Sequence, residues 1–307
     1  MHELARQSSL EDEMRSRVMI TGATGGLGKA FAVECARRGW DLFLTDLEAD
    51  RLDTLADGLR RTYGVGVARQ VCDLTDASSR SRLFDFIRSG RTRFWALINV
   101  AGADFEGTFR ERRPEQLRTI LRLNIEGTLE MTHAVLSWSD PGIPFRIITV
   151  SSLAAFFPMP VKATYAASKR FLLDFSLALK AEVEGLGATV TVLCPAGLPT
   201  TDECIEAIEA QGLMGHLTTQ NIGLVAARTL DHALKGHAIY VPGFLNQSLL
   251  AMSHLVPSSG ITRLIGRRWK AARHRRFGDR PQDGSRPPAP LRPVSEAREA
   301  TRDRLIA

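Results

Sequence analysis

Tyr165-Ala166-Ala167-Ser168-Lys169 is the stretch of this sequence best equipped for proton chemistry. The apolar spacing from Tyr165 to about Glu184 predicts a helix, and on a helix the side chains at i and i+4 share one face, which sets the Lys169 ammonium near the Tyr165 phenol. A neighbouring cation favours phenolate and lowers a tyrosine's pKa from about 10 towards the range of a general acid/base. Tyr-x-x-x-Lys also occurs by chance, so its meaning depends on its company. Ser151-Ser152 ends an apolar run upstream, and a hydroxyl placed there can hold a substrate oxygen while its charge changes.

A second kind of chemistry sits near the start. Thr21-Gly22-Ala23-Thr24-Gly25-Gly26-Leu27-Gly28 follows a β-rich run and opens a helical pattern from Lys29 to Arg38. Glycines at such a turn let backbone approach a pyrophosphate, and the helix N-terminus adds free N–H groups and a positive dipole. Its place at the first strand-to-helix turn gives the cluster its weight. The next strand-like run ends at Thr45-Asp46, where a carboxylate can accept hydrogen bonds from both ribose hydroxyls of an adenosine and repel a 2′-phosphate. Leu47 follows it and the turn holds no Arg or Lys, so NAD is favoured over NADP. The alternative is that Asp46 only caps the next helix.

Four later motifs keep the order of a known family: Cys72-Asp73-Leu74-Thr75-Asp76, Asn99-Val100-Ala101-Gly102, Leu123-Asn124-Ile125-Glu126-Gly127 and Cys194-Pro195-Ala196-Gly197-Leu198-Pro199-Thr200. With the glycine turn and the Tyr165 motif, they resemble the short-chain dehydrogenase/reductase family from about Arg17 to Gly243. The resemblance implies that Thr21, Gly22, Thr24, Gly26, Leu27, Gly28 and Asp46 cradle a nicotinamide cofactor. It further implies that Asp73 bonds the adenine amino group, that Leu74 offers backbone to the ring, and that the turn of Asn99, Ala101 and Gly102 passes beside a ribose. Val100 departs from the family's second Asn. Ser152, at the family's usual thirteen-residue distance before Tyr165, would position the substrate oxygen, and Lys169 would hold ribose as well as tune Tyr165. The Asn124 backbone would anchor a water linking Lys169 to solvent. Pro195 and Gly197, with Ala196 where glycine is commoner, would bring backbone and Thr200 to the carboxamide; Pro199 leaves Thr201 as the alternative.

The implied reaction is reversible hydride transfer between a nicotinamide and a carbinol carbon, interconverting a secondary alcohol and a ketone. Leu153 to Met159 and a lid from Thr201 to Thr219, with Ile205, Ile208, Leu213 and Met214, are apolar enough for a lipid-, steroid- or acyl-like substrate. Phe156 and Leu213 are equally readable as core or dimer packing. Gly22, Gly25 and Gly28 also fit the spacing of nucleotide-sugar epimerases and dehydratases; the Asn99 turn, Asn124 and the absence of a long substrate segment after Thr200 argue against that branch. A third reading is a non-catalytic NAD-sensing scaffold, which would have no need of Ser152, Tyr165 and Lys169 together.

Strands and helices must position these groups. Runs at Arg17–Thr21, Asp41–Thr45, Gly66–Cys72, Trp95–Val100, Phe145–Val150, Thr189–Cys194 and Ala238–Val241 alternate with helical patterns, which predicts an α/β, Rossmann-type, doubly wound parallel sheet of about seven strands with helices on both faces. Ligand then belongs beyond the carboxyl ends of the strands. Residues 1–16 read as an arm, 17–258 as the catalytic domain and 259–307 as a basic appendage.

The 307 residues are 44% hydrophobic and 24% charged, ordinary globular values. Their net charge of +6 is uneven: Thr262 to Ala307 holds 13 Lys/Arg and 5 Asp/Glu, a local +8 that leaves −2 for the rest. Basicity so confined argues against a general nucleic-acid partner. Ile261, Leu264, Ile265 and Trp269 recur at helical spacing among arginines, so this segment either packs on the enzyme or a second subunit, or lies on an anionic membrane surface. Pro281 to Pro293 is too polar to order itself. Cys35, Cys72, Cys194 and Cys204 are scattered and lack metal-ligand spacing, and read as reduced buried thiols; His232 and His237 read as surface or packing residues. A polar start and no long apolar run predict a cytoplasmic protein. A small-molecule substrate and a homodimer or homotetramer complete the expectation.

Overall fold

The apolar runs become seven strands: β1 (Arg17–Thr21), β2 (Leu42–Asp46), β3 (Val67–Val71), β4 (Phe94–Asn99), β5 (Phe145–Val150), β6 (Ala188–Leu193) and β7 (Ile239–Tyr240). A computed structural model of the chain describes residues 16–200, 202–210, 217–253 and 266–267 and joins the strands in one sheet, ordered β3-β2-β1-β4-β5-β6-β7 with every pairing parallel. This is the doubly wound Rossmann-type sheet expected. The order reverses direction between β1 and β4, which opens a crevice at their carboxyl ends. Register brings the chemistry to that edge, since Thr21 pairs with both Thr45 and Asn99, and Asn99 with Thr149.

The helices are α1 (Gly26–Arg37), α2 (Ala49–Tyr63), α3 (Ala77–Ser89), α4 (Pro114–Ile120), α5 (Thr128–Ser137), α6 (Ala163–Val183), α7 (Asp202–Ala210), α8 (Ile222–Leu234) and α9 (Phe244–Ser253). Between α4 and α5 the chain widens into a π-helix at Leu121–Gly127. Strand side chains alternate between two cores. Val18, Ile20, Leu42, Leu44 and Ile98 meet Phe31, Leu52 and Leu230 on one face of the sheet. Met19, Phe43, Leu97 and Ile147 meet Leu83, Met131 and Val135 on the other. A period of two that is apolar at both phases is what a strand covered on both sides requires, and each large side chain so buried contributes roughly 1.5–3 kcal/mol.

Local signals end the helices where they should. Asp76 accepts the Ser79 N–H at 2.8 Å to cap α3, Asn221 accepts the Leu224 N–H at 2.9 Å to cap α8, and Gly64 closes α2 at φ +68°. Phe156, weighed above as a substrate contact, packs with Leu153 against a small core of Ala155, Leu173 and Val192. Cys35, Cys72 and Cys194 are buried, Cys204 is partly so, and all four are free thiols. His232 stacks on Tyr240 and its Nδ1 lies 2.8 Å from that of His237. Among the described residues no helix is long and apolar enough to cross a membrane. The arm before residue 16, Leu213 and Met214, and the tail residues Ile261, Leu264, Ile265 and Trp269 lie outside the described residues; Gly266 is buried, and a Cβ on it would stand 3.0 Å from Pro160 Cγ.

Candidate active site

Backbone builds the first half of the site. Gly22 turns at φ +65°, and a Cβ there would stand 2.8 Å from the Ala101 backbone; one on Gly28 would lie 2.0 Å from the Gly22 carbonyl oxygen. No side chain fits either place. Thr21 Oγ1 accepts from the N–H groups of Val100 (3.1 Å) and Ala101 (3.3 Å), so the turns after β1 and β4 are clasped together. Gly26 faces Thr200, whose Cα would be 2.9 Å from an added Cβ. Thr24 and Leu27 are buried in the same turn. The residues fit a dinucleotide: a cradle walled by main chain admits a diphosphate where one Cβ would fill it.

Asp46 is not a helix cap. Its Oδ2 accepts from the Thr24 N–H (2.7 Å) and the Thr24 hydroxyl (2.8 Å), its Oδ1 accepts from the Leu47 N–H (2.7 Å), and Glu48 is the N-cap of α2. The carboxylate is therefore tied to the glycine turn. Arg51, which sequence reading passed over, donates to the Thr24 carbonyl at 3.3 Å; only the winding of α2 brings it back to the turn.

Asp73 Oδ1 accepts from the N–H and hydroxyl of Thr75 at 2.8 and 2.7 Å, and the Leu74 carbonyl accepts from Arg80 at 2.8 Å. Arg80 is fully buried, and its remaining donors meet Glu130 (2.6 and 2.8 Å) and Glu126. A buried guanidinium is tolerable only when its donors are matched in this way. The sequence carried a hint of it, since Arg80, Leu83 and Ile87 stand at i, i+3 and i+7, with an arginine on an apolar stripe.

Side chains build the second half. Asn124 is fully buried in the π-helix, where its Oδ1 accepts from the Ala103 N–H (2.8 Å) and its Nδ2 donates to the Ala103 carbonyl (3.1 Å) and Ser168 Oγ (3.0 Å). Asn99 Nδ2 donates to Thr132 Oγ1 at 2.9 Å. Lys169 Nζ donates to the Val150 carbonyl at 2.9 Å, while the Ser151 hydroxyl donates to the Lys169 carbonyl at 2.7 Å, riveting α6 to the end of β5. A Cβ on Gly102 would be 3.2 Å from Lys169 Nζ and 3.3 Å from Asn124 Oδ1, so three motifs far apart in sequence meet there. Ser152 Oγ accepts the Ala154 N–H at 3.1 Å, the Pro195 carbonyl accepts the Leu153 N–H at 2.8 Å, and Gly197 leaves room for Ile208. Thr200 Oγ1 reaches Cys204 Sγ at 3.4 Å; Thr201 lies outside the described residues.

The charges differ from expectation. Tyr165 is pushed above its ordinary range, first by desolvation and then by the charge of Asp104, with the Ser152 hydroxyl pulling the other way. Lys169 is drawn down to about 8 by burial, with Asp104 opposing. Sequence reasoning had Lys169 lowering the phenol. In this arrangement its ammonium is committed to Val150, 5.7 Å from the Tyr165 ring centre, and dry surroundings penalise both charged forms. Sequence reading also missed Lys162, whose Nζ lies 2.5 Å from Asp104 and 3.8 Å from Glu106; no residue pattern links positions 58 apart.

Comparison with known proteins places this arrangement. The family model described as short chain dehydrogenase matches residues 16–208. Sulfoacetaldehyde reductase 2 of Chromohalobacter salexigens is 33% identical over 196 residues, 62% of this chain and 75% of that protein. The 17-beta-hydroxysteroid dehydrogenase type 3 of Mus musculus is 31% identical over 64% of each chain. The solved short-chain dehydrogenase of Sphingobium yanoikuyae, in complex with NADPH, superposes with a TM-score of 0.66 at 26% identity, covering 89% of this chain and 99% of that one.

Proposed function

Because the chain belongs to the short-chain dehydrogenase/reductase family, and is on that ground an NAD(P)-dependent oxidoreductase, we propose that it interconverts a secondary alcohol and a ketone with Tyr165 as the proton carrier. The observation that carries this reading is the convergence at one crevice of Ser152, Tyr165 and Lys169 with the glycine cradle. When bound, the nicotinamide supplies or takes up the hydride. Ser152 holds the substrate oxygen, and Tyr165 gives its proton to that oxygen in reduction and takes it back in oxidation. Lys169 sits between ribose and phenol, and Asn124 locks the loop at Ala103 that forms the floor beside it. Asp73 and Leu74 meet adenine; because the Leu74 carbonyl is committed to Arg80, its N–H is the group on offer. The turn from Pro195 through Gly197 to Thr200 covers the carboxamide end.

NAD is the preferred cofactor in this reading, since Asp46 is fixed at the end of β2 with its charge beside the ribose position. A second reading, NADP, is favoured by two observations: the Arg51 guanidinium stands 3.3 Å from the Thr24 carbonyl and can answer a 2′-phosphate, and the Sphingobium yanoikuyae neighbour was solved with NADPH. The substrate is an apolar alcohol or ketone, in keeping with the apolar segment after Ser152 and the steroid-acting relative. Phe171 and Phe175, stacked at 6.1 Å on α6 with Phe171 exposed, suit a homodimer or homotetramer interface.

Reduced cofactor formed across a panel of secondary alcohols, sterols and hydroxyacyl compounds tests the activity, with Tyr165→Phe as the control. That variant should lose about 10²–10⁴-fold in turnover while binding NADH normally. Full turnover in it would remove Tyr165 from the mechanism.

A further inference from the structure

Tyr165 has two lysines for neighbours. Lys162 Nζ and Lys169 Nζ each lie 5.7 Å from the centre of its ring, one from the turn before it and one from the turn after. Their settings differ. Lys169 is buried and donates to the Val150 carbonyl. Lys162 is partly exposed, with its side chain 14% accessible and its ammonium 2.5 Å from Asp104 and 3.8 Å from Glu106.

The clamp is built into the backbone. Gly107, one residue past Glu106, donates its N–H to the Val161 carbonyl at 2.8 Å, which ties the acidic loop to the residue before Lys162. Val161 is buried and held at φ +64°, a conformation β-branched residues rarely adopt. Strain of this kind persists where the surroundings over-determine it, and it gathers at functional sites.

We propose that Lys162, clamped by Asp104 and Glu106, is a positioning residue of the reacting centre: the balance of this ion pair, and not Lys169 alone, sets how readily Tyr165 gives up and regains its proton. The proposal rests on the reading of Tyr165 as proton carrier. Among the described residues, the charged or titratable groups facing Tyr165 are Asp104 from the loop after β4, Lys162 and Lys169 around α6, and Cys204 from α7, with the Ser152 hydroxyl at the end of β5. Asp104 disfavours phenolate, and its pairing with Lys162 blunts that effect.

Opposite charges predict opposite shifts. Removing the Lys162 ammonium leaves Asp104 uncompensated and makes phenolate harder to form. Removing the Asp104 charge leaves the ammonium to favour it. A brace that merely held the loop would, when lost from either side, move both variants the same way. The Lys162–Asp104 pair is partly exposed, so at about 6 Å from the ring centre, with an effective dielectric of about 40–80, one of its charges is worth about 0.5–1 pH unit.

The pH profile of kcat for alcohol oxidation by the NAD-loaded enzyme reads this. Its acid limb should move up by about 0.5–1 unit in Lys162→Gln and down by a similar amount in Asp104→Asn. Glu106→Gln should move it down by less, at its longer distance, and Lys162→Arg should restore it. Unmoved limbs, or shifts of one sign in Lys162→Gln and Asp104→Asn, overturn the proposal. Ring ¹³C-tyrosine NMR of the NAD-bound protein separates the underlying reading: there are three tyrosines, and Tyr165→Phe identifies the resonance. Opposed shifts in its titration with a kinetic profile that ignores them would overturn the assignment of Tyr165 as carrier; opposed shifts in both support the proposal.

Discussion

The two halves of the crevice are made of different material. Around β1 and β2 the cradle wall is main chain: Gly22, Gly26 and Gly28 matter for what they lack, and the Thr21 hydroxyl clasps one backbone turn to the next by accepting from the Ala101 N–H. Around β5 and α6 the reacting centre is side chain: Lys169, Asn124, Ser152 and Tyr165 come from three separate segments, with Lys169 and Asn124 held by buried hydrogen bonds and Ser152 by a partly buried one. A site of main chain tolerates no added atom but is indifferent to charge. A site of side chains keeps its shape through many substitutions and loses its chemistry with one.

The harshest test of that contrast is Gly28→Ala. Its methyl would lie 2.0 Å from a backbone oxygen, so main chain must move, at a cost of about 1–3 kcal/mol or more. We expect a lower melting temperature and loss of the rise that NADH confers on the unmodified protein. A variant still protected by NADH would show the cradle to be more forgiving than its geometry implies. By contrast Tyr165→Phe should melt like its parent.

Charge enters the backbone half only at its rim. Asp46→Ala combined with Leu47→Arg should move the NADPH to NADH binding ratio towards NADPH by about 10–100-fold, the worth of one or two charge-assisted hydrogen bonds gained and one repulsion removed. Fluorescence titration with both cofactors measures it, and tighter NADPH binding by the unmodified protein would hand the preference to Arg51.

Burial of charge should also be visible in the stability of the side-chain half. The pKa of Lys169 falls from 10.5 when exposed to about 8 when folded, so between these values the unfolded chain holds a proton that the folded one does not. Stability contributed by this group therefore rises as pH climbs from about 8, by at most ~1.4 kcal/mol per pH unit. Urea unfolding between pH 7.5 and 9.5, below the range where tyrosines ionise, should give a slope that is less positive in Lys169→Met than in the parent, both carrying the opposing contribution of the buried thiols Cys35 and Cys194. An identical slope in that variant would place the proton elsewhere.

The smallest effect lies far from both halves. Glu34 is held below the usual carboxylate range, first by the Arg37 guanidinium and also by Arg38, each at 2.8 Å. Its folded pKa is depressed, so its contribution is present above pH 4.5 and fades as pH falls through the folded value. Glu34→Gln should cost about 0.5–1 kcal/mol at pH 7 and progressively less as pH falls through the depressed folded value, with cofactor affinity unchanged.

Legibility followed the same division. The glycine turn, the strand ends and the order of the sheet were readable because they depend on local signals, namely a period of two, a turn that needs positive φ and a helix start. The placement of Asp46 at the end of β2 was readable, but not its tie to Thr24. Arg80 and Lys162 act through partners 50 and 58 positions away, a distance over which one sequence carries no pattern. Phe156 was open between ligand contact and packing because an apolar residue after a catalytic motif has the same appearance whether it faces a substrate or a core. Its partial burial against Leu173 and Val192 depends on where α6 and β6 lie. The Tyr165 and Lys169 pairing was legible as placement and not as electrostatics, because spacing on a helix says nothing of how dry the surroundings are.

The π-helix at Leu121–Gly127 gives chain length an unusual meaning. A turn closed at i+5 carries one more residue than its α-helical counterpart, and one residue is about 100° of winding. Deleting a single residue there would let α4 and α5 fuse into one even spiral with both flanks kept in register, since the wide turn already absorbs the extra residue, and only the residues inside it would be re-aimed. Asn124, inside the wide turn, would be turned from Ala103 and Ser168, while Met131 and Val135 would keep their places in the core. The same deletion in the exposed hairpin-like turn at residues 140–143 would only shorten a loop. Along this stretch an insertion or deletion behaves as a rotation, so the count of residues between Ile120 and Thr128 is itself a component of the site.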